Sequence, residues 1–120
     1  MMKAIAKLFF LAAICLPMVV AANDGYKVTG HSGIMYFVAI DDDKKDDEDV
    51  FRFAVVDICD AKAACQIQYW VGDAPSGFPL TQEQIDSKLV HWQQDSELNR
   101  WIVDCKSSDL FSKERQCMKD

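Results

Sequence analysis

At 120 residues, half of them hydrophobic, the chain is long enough for one core and too short for two. Its formal net charge of −6 argues against nucleic acid, which selects basic patches, and against docking on an anionic membrane face. Solubility and a cationic protein partner are both compatible with it.

Met1 to Lys7 carries Lys3 and Lys7 and no acid, and Leu8 to Val20 is an apolar run interrupted only by Pro17. Val20-Ala21-Ala22 then supplies small residues of the kind a signal peptidase reads. These features predict a secretory leader, residues 1–22, cut after Ala22. A membrane anchor fits less well, because roughly 13 apolar residues fall short of the ~20 that span a bilayer. Cys15 as a lipidation site is disfavoured by Ile14 before it, where a small residue is expected. Cleavage leaves residues 23–120 as a single domain, and it removes two lysines and no acid, moving the formal charge from −6 to −8. The expected location is periplasmic or secreted, with no membrane contact after cleavage.

Asn23 to Gly33 is polar and glycine-rich, a loose entry segment or a short edge strand. Ile34 to Ile40 is a seven-residue apolar run rich in β-branched and aromatic residues, the signature of a buried strand. It stops at Asp41. From Asp41 to Asp49 there are seven acids and two lysines, a solvated loop with nothing to bury.

Val50 to Cys59 is rich in β-branched residues, yet Val50, Phe51, Ala54, Val55 and Ile58 fall on a helical stripe. Asp47, Glu48 and Asp49 stand where carboxylates cap amides and complement the dipole, and a helix is expected. Cys65 to Val71 alternates as a strand, with Ile67 and Tyr69 on one face and Gln66, Gln68 and Trp70 on the other. Gly72 to Leu80, with two prolines and two glycines, is an irregular loop.

Thr81-Gln82-Glu83-Gln84 is a capping-box variant that opens an expected helix over about 82–94, with Ile85, Leu89 and Trp92 on one stripe. Asn99 to Cys105 reads as a third strand, and the tail as a short helix from Asp109 pinned by Cys117. The order predicts an α+β or small α/β fold: a three- to four-stranded sheet covered by two helices, strand direction open.

Four cysteines follow the leader: Cys59, Cys65, Cys105 and Cys117. An even number in a small exported domain reads as two disulfides. Sequential pairing, Cys59 with Cys65 and Cys105 with Cys117, is favoured, and the other two pairings stay open. The spacings suit neither a thioredoxin-like redox site nor a zinc knuckle, and His31 and His91 are isolated in sequence. Counted as a calcium loop from Asp41, Asp42 or Asp43, the acidic run lacks the glycine that an EF-hand needs at its sixth position.

Ser76 has no nucleophile elbow around it, and the acids gather on one loop, so no catalytic constellation emerges. No cofactor and no metal site is implied. The candidate partner-binding residues are Asp41, Asp42, Asp43, Asp46 and Asp47, together with Trp70 and Phe78 as an exposed aromatic pair beside the Pro/Gly loop.

The sequence Cys59…Cys65-Gln-Ile-Gln-Tyr-Trp, followed by Phe78-Pro-Leu-Thr and Gln84-Ile85, resembles a set of small exported bacterial proteins of unknown function. These place a cysteine-closed turn before a strand ending in an aromatic–Trp pair, and a late cysteine pair after it. The resemblance covers about 50–117 and implies the helix over 50–59 and the disulfides; it brings no activity with it. The composite expectation is a non-enzymatic binding module (inhibitor, immunity-like factor or accessory subunit) meeting a basic protein. The alternative is a small-ligand or metal-binding envelope protein, or a weak enzyme.

Overall fold

The computed structural model describes residues 24–119; the expected leader and its cleavage site lie outside them. One six-stranded mixed sheet runs through the domain in chain order. Its strands are β1 (Tyr26–Ser32), β2 (Met35–Ile40), β3 (Cys65–Val71), β4 (Val90–Gln94), β5 (Asn99–Val103) and β6 (Arg115–Cys117). Two helices complete it, α1 (Glu48–Cys59) and α2 (Gln82–Ser87). The α+β class holds, but the sheet is larger than three or four strands. β2 and β3 are parallel, connected through α1, and β5 and β6 are also parallel; the other pairs are antiparallel.

Alternation along the strands gives the sheet two unlike faces. On the first, Val38, Ile40, Ile67, Tyr69, Val90, Trp101 and Val103 pack with Val50, Phe51 and Ala54 of α1 and with Leu110 and Phe111. The helical stripe read from the sequence is thus the buried face of α1. Asp47 caps it, its carboxylate accepting from the amide of Asp49 at 3.1 Å. Tyr69 sends its hydroxyl into the core, donating to the Phe51 carbonyl at 2.9 Å, so its one polar atom is satisfied.

The expected helix over 82–94 is a correction. The capping box is present, Thr81 and Gln84 bonding reciprocally, but α2 ends at Ser87 and residues 90–94 are a strand. Val90, Trp92 and Gln94 pair with Tyr69, Ile67 and Cys65 of β3 and also with β5. Val90 to Gln94 alternates as well as it spirals, and two flanking strands decide between the periods. Ile85, placed by the helical stripe in the core, is half exposed.

The tail is a second correction. Residues 110–114 form turns and not a helix, and β6 then adds to the sheet edge. The strand count rises from three because of β1, β4 and β6. Of these, β1 was an open alternative in the sequence, β4 was read as helix, and β6 spans only three residues.

Both disulfides pair sequentially. Cys59–Cys65 ties the end of α1 to the start of β3 with Cα atoms 5.6 Å apart, and Cys105–Cys117 ties the segment after β5 to β6 at 5.4 Å. The six-residue separation of the first pair is closed further by Gln94, whose amide donates to the carbonyls of Cys59 and Lys62. Two disulfides indicate an oxidising compartment. Among the described residues no helix is long and apolar enough to cross a membrane.

Candidate functional site

The acidic run sits at one end of the sheet, between β2 and α1. It is more ordered than a loose loop: Asp41 donates its amide to the Gly25 carbonyl, residues 42–44 make a 3-10 turn, and Asp47 begins α1. Gly25 has φ +85°, and a Cβ there would press on Lys44 and Val50, so the anchoring carbonyl depends on glycine.

The acids divide into two groups. Asp41, Asp42, Asp43, Asp46, Asp47 and Asp49 are exposed. Glu48 is half-buried and structural: one oxygen accepts the Phe111 amide at 2.8 Å, and the other lies 3.7 Å from Arg52. Arg52 also reaches Glu114 at 3.0 Å and lies over the Phe111 ring, 4.8 Å from its centre. Of the candidate acids, Asp47 doubles as a helix cap; it lines an open hollow of about 640 Å³ together with Asp42, Asp43 and Asp46, and Asp41 stands outside that lining. A second hollow of about 540 Å³ continues past Asp46 and Glu48 to Ser108 and Asp109. Among the described residues no group of three His, Cys, Asp or Glu is arranged to hold a metal ion.

The aromatic pair does not form the expected surface. Trp70 is 2% exposed, its indole donating to the Gln84 carbonyl at 2.8 Å. That carbonyl lies in the middle of α2, so the indole ties the helix to β3. The loop from Gly72 to Leu80 and α2 fold back over the second face of the sheet, where Phe37 stands between Trp70 (6.1 Å) and Phe78 (5.2 Å). Phe78 is 55% exposed, so of the two only Phe78 reaches solvent. The loop is held on β1 by Thr29, whose hydroxyl donates to the Pro75 carbonyl at 2.6 Å.

A polar row crosses the same face. Gln66 and Gln68 of β3, His91 and Gln93 of β4, and Arg100 of β5 lie side by side across the strands. His91 Nε2 and Gln66 Oε1 are 2.8 Å apart, and Arg100 donates to Gln93 at 2.7 Å and to Gln116 at 3.2 Å. Burial, with the nearby charges of Lys88 and Arg100, pushes His91 down to about 4, so its imidazole is neutral at pH 7. Its partner is an amide and not a carboxylate, an arrangement that fixes the ring without poising it as a base. This row was missed from sequence because 90–94 was read as helix, which scatters His91 and Gln93 around an axis.

Also missed was a groove on the first face, between α1 and strands β4 and β5. Val55 and Val56 of α1 and Trp92 and Trp101 of the sheet line it together with the polar Arg52, Asn99, Arg100 and Glu114, and its volume is about 460 Å³. Trp92 and Trp101 are cross-strand partners with ring centres 4.6 Å apart. The sequence signal was Val56, an apolar residue off the buried stripe of α1. The chain matches no family model, no curated protein and no solved structure.

Proposed function

We propose that this protein is a non-enzymatic binding module of the periplasm or the secreted fraction, an inhibitor, immunity-like factor or accessory subunit that meets a cationic protein through its acidic end. The observation that carries this reading is the division among the acids. Glu48 is engaged in holding the C-terminal turn, whereas Asp41, Asp42, Asp43, Asp46 and Asp49 are displayed to solvent on a segment pinned at both ends. Fixed like charges raise encounter rates with a partner of opposite sign and disfavour wrong partners. The fold supports such a display: two disulfides and a six-stranded sheet hold the loop without further ordering on binding.

The test is capture of cationic proteins by the oxidised domain at low and at moderate salt. Wild type retains them in a salt-sensitive way. A variant with Asn at positions 41, 42, 43, 46 and 49 keeps Asp47 and Glu48 for the fold, and binds weaker by roughly tenfold or more. Equal capture by this variant would rule the acidic end out as the site. A thermal shift with a metabolite or a metal ion, and none with basic proteins, would favour a small-ligand module instead.

A further inference from the structure

The two most exposed large apolar side chains among the described residues stand on one helix. Phe53 and Val56 of α1 are 59% and 61% exposed, and a spacing of three residues makes them neighbours on the helix surface. Neither packing nor propensity accounts for them. They lie off the buried face of Val50, Phe51 and Ala54, and Phe and Val are poorer helix formers than the Ala, Glu or Lys that an outward position accepts. Apolar residues scattered singly over a surface are ordinary; a pair of neighbours on the outer side of a regular helix is a patch.

The charges around this pair are of one sign. Asp49 and Asp57 stand four residues before and after Phe53, and Asp60 stands four after Val56; all three are exposed. Asp57 is held in place by the hydroxyl of Tyr26. No lysine or arginine falls between Phe53 and Asp60, the next cation of the chain being Lys62. On its other flank Val56 borders the groove, where Arg52 and Arg100 stand against Glu114 and against Glu48, the second partner of Arg52. That flank sums to no net charge, so the excess on α1 is the three aspartates of its outward side. Asp49 also lines the larger acidic hollow, which makes the displayed acids of residues 41–49 and the apolar pair one continuous surface. Along α1, Asp49 and Asp60 are about 16 Å apart at 1.5 Å per residue, room for two apolar side chains between two cations.

We infer that the outward face of α1, with Phe53 and Val56 set among Asp49, Asp57 and Asp60, docks a lysine- or arginine-rich segment of the cationic partner through apolar side chains of that segment. The inference rests on the acidic-end reading above and extends that interface along the helix. Charge on the aspartates raises the encounter rate and selects the sign of the partner, and burial of the apolar pair slows its release.

Two synthetic peptides of equal charge test it, Lys-Lys-X-Ser-X-Lys-Lys, where X is leucine in one and serine in the other. Fluorescence anisotropy of the labelled peptides gives their affinity for the oxidised protein, and the methyl resonances of Val56 report by NMR on where they sit. The leucine peptide binds tighter by roughly tenfold or more and moves the Val56 signals. Phe53→Gln combined with Val56→Gln leaves the buried face of α1 untouched, and this variant binds both peptides alike, at the level of the serine peptide. Phe78→Gln, at a comparably exposed apolar position (55%) across the sheet from α1, leaves the preference intact. A preference that survives the α1 variant, or one that is lost in the Phe78 variant, would overturn the placement. Equal, salt-sensitive binding of both peptides with no Val56 shift would overturn the apolar contact and leave the acidic-end reading standing. Failure of both peptides to bind at low salt would overturn the two together.

Discussion

Phe111 lies flat on Trp101, ring centres 4.0 Å apart and planes 6° from parallel. The pair joins a residue of the C-terminal turns to the middle of β5, and Phe111 is also edge-on to Phe51 of α1 at 6.1 Å. Phe111 is fully buried with φ +54°, a backbone region uncommon for a bulky residue. Its amide is held by Glu48. Packing and this hydrogen bond together stabilise a conformation that the residue does not favour by itself.

Phe111→Ala removes the stacked ring and leaves a void between α1 and β5. Large-to-small changes at such sites cost about 3–5 kcal/mol. A urea titration followed by tryptophan fluorescence measures it, and a loss below about 1 kcal/mol would show that the turns re-pack without the ring.

Gly30 of β1 needs its missing side chain for a different reason. Its φ is unremarkable, but a Cβ at this position would overlap the backbone of Ser76. Gly30→Ala therefore displaces the loop over the second face, at a cost of about 1–3 kcal/mol. Limited proteolysis reads the outcome: cleavage within 72–80 quickens in the variant, while α1 and its caps stay protected. An unchanged digestion pattern would mean that β1 shifts and the loop does not.

His91 makes stability depend on acid. Its folded value, about 4, lies below the unfolded one near 6.5, so between these values the unfolded chain binds the extra proton. The contribution is fully present above pH ~6.5 and is lost as pH falls toward 4, by about 1–3 kcal/mol. His91→Gln keeps an amide opposite Gln66 and does not titrate. Denaturation midpoints of wild type and variant therefore diverge on acidification from pH 7 to pH 4, the variant changing less; parallel curves would show that His91 is not the titrating group.

The two disulfides differ in access. Cys59 and Cys65 are both buried in the core cluster, whereas Cys117 is exposed and Cys105 partly so. Thiol attack requires access to a sulfur. Under mild reductant without denaturant, Cys105 and Cys117 are alkylated first, as peptide mass mapping shows, and full reduction under denaturing conditions adds about 4 Da for the two bridges. Early labelling of Cys59 and Cys65 would mean that the α1–β3 junction opens ahead of the C-terminal edge.

Much of the fold was legible locally. Asp41 stops a strand because seven acids cannot follow an apolar run into a core. Asp47 to Asp49 start a helix because carboxylates satisfy its first amides. The cysteine spacing with the flanking elements favoured sequential pairing. The polar row on the sheet and the apolar groove were not legible, since both depend on β4 being a strand. The segment from Val90 to Gln94 fits a helical stripe and an alternation almost equally, and its hydrogen bonds to β3 and β5 are made to residues far off in sequence.

Composition and order by themselves thus determined that helices and strands would be joined by disulfides, with an acidic segment at the surface, because charge, capping and cysteine count act over a few residues. Tertiary structure alone decided which aromatics stay visible. Trp70 is buried beneath the 72–80 loop and α2, whose Gln84 carbonyl accepts its indole N–H, Phe78 remains outside, and Trp92 lines an open groove because α1 covers only part of the sheet. Burial is set by what packs on a residue, and for these three the partners come from other elements of the chain.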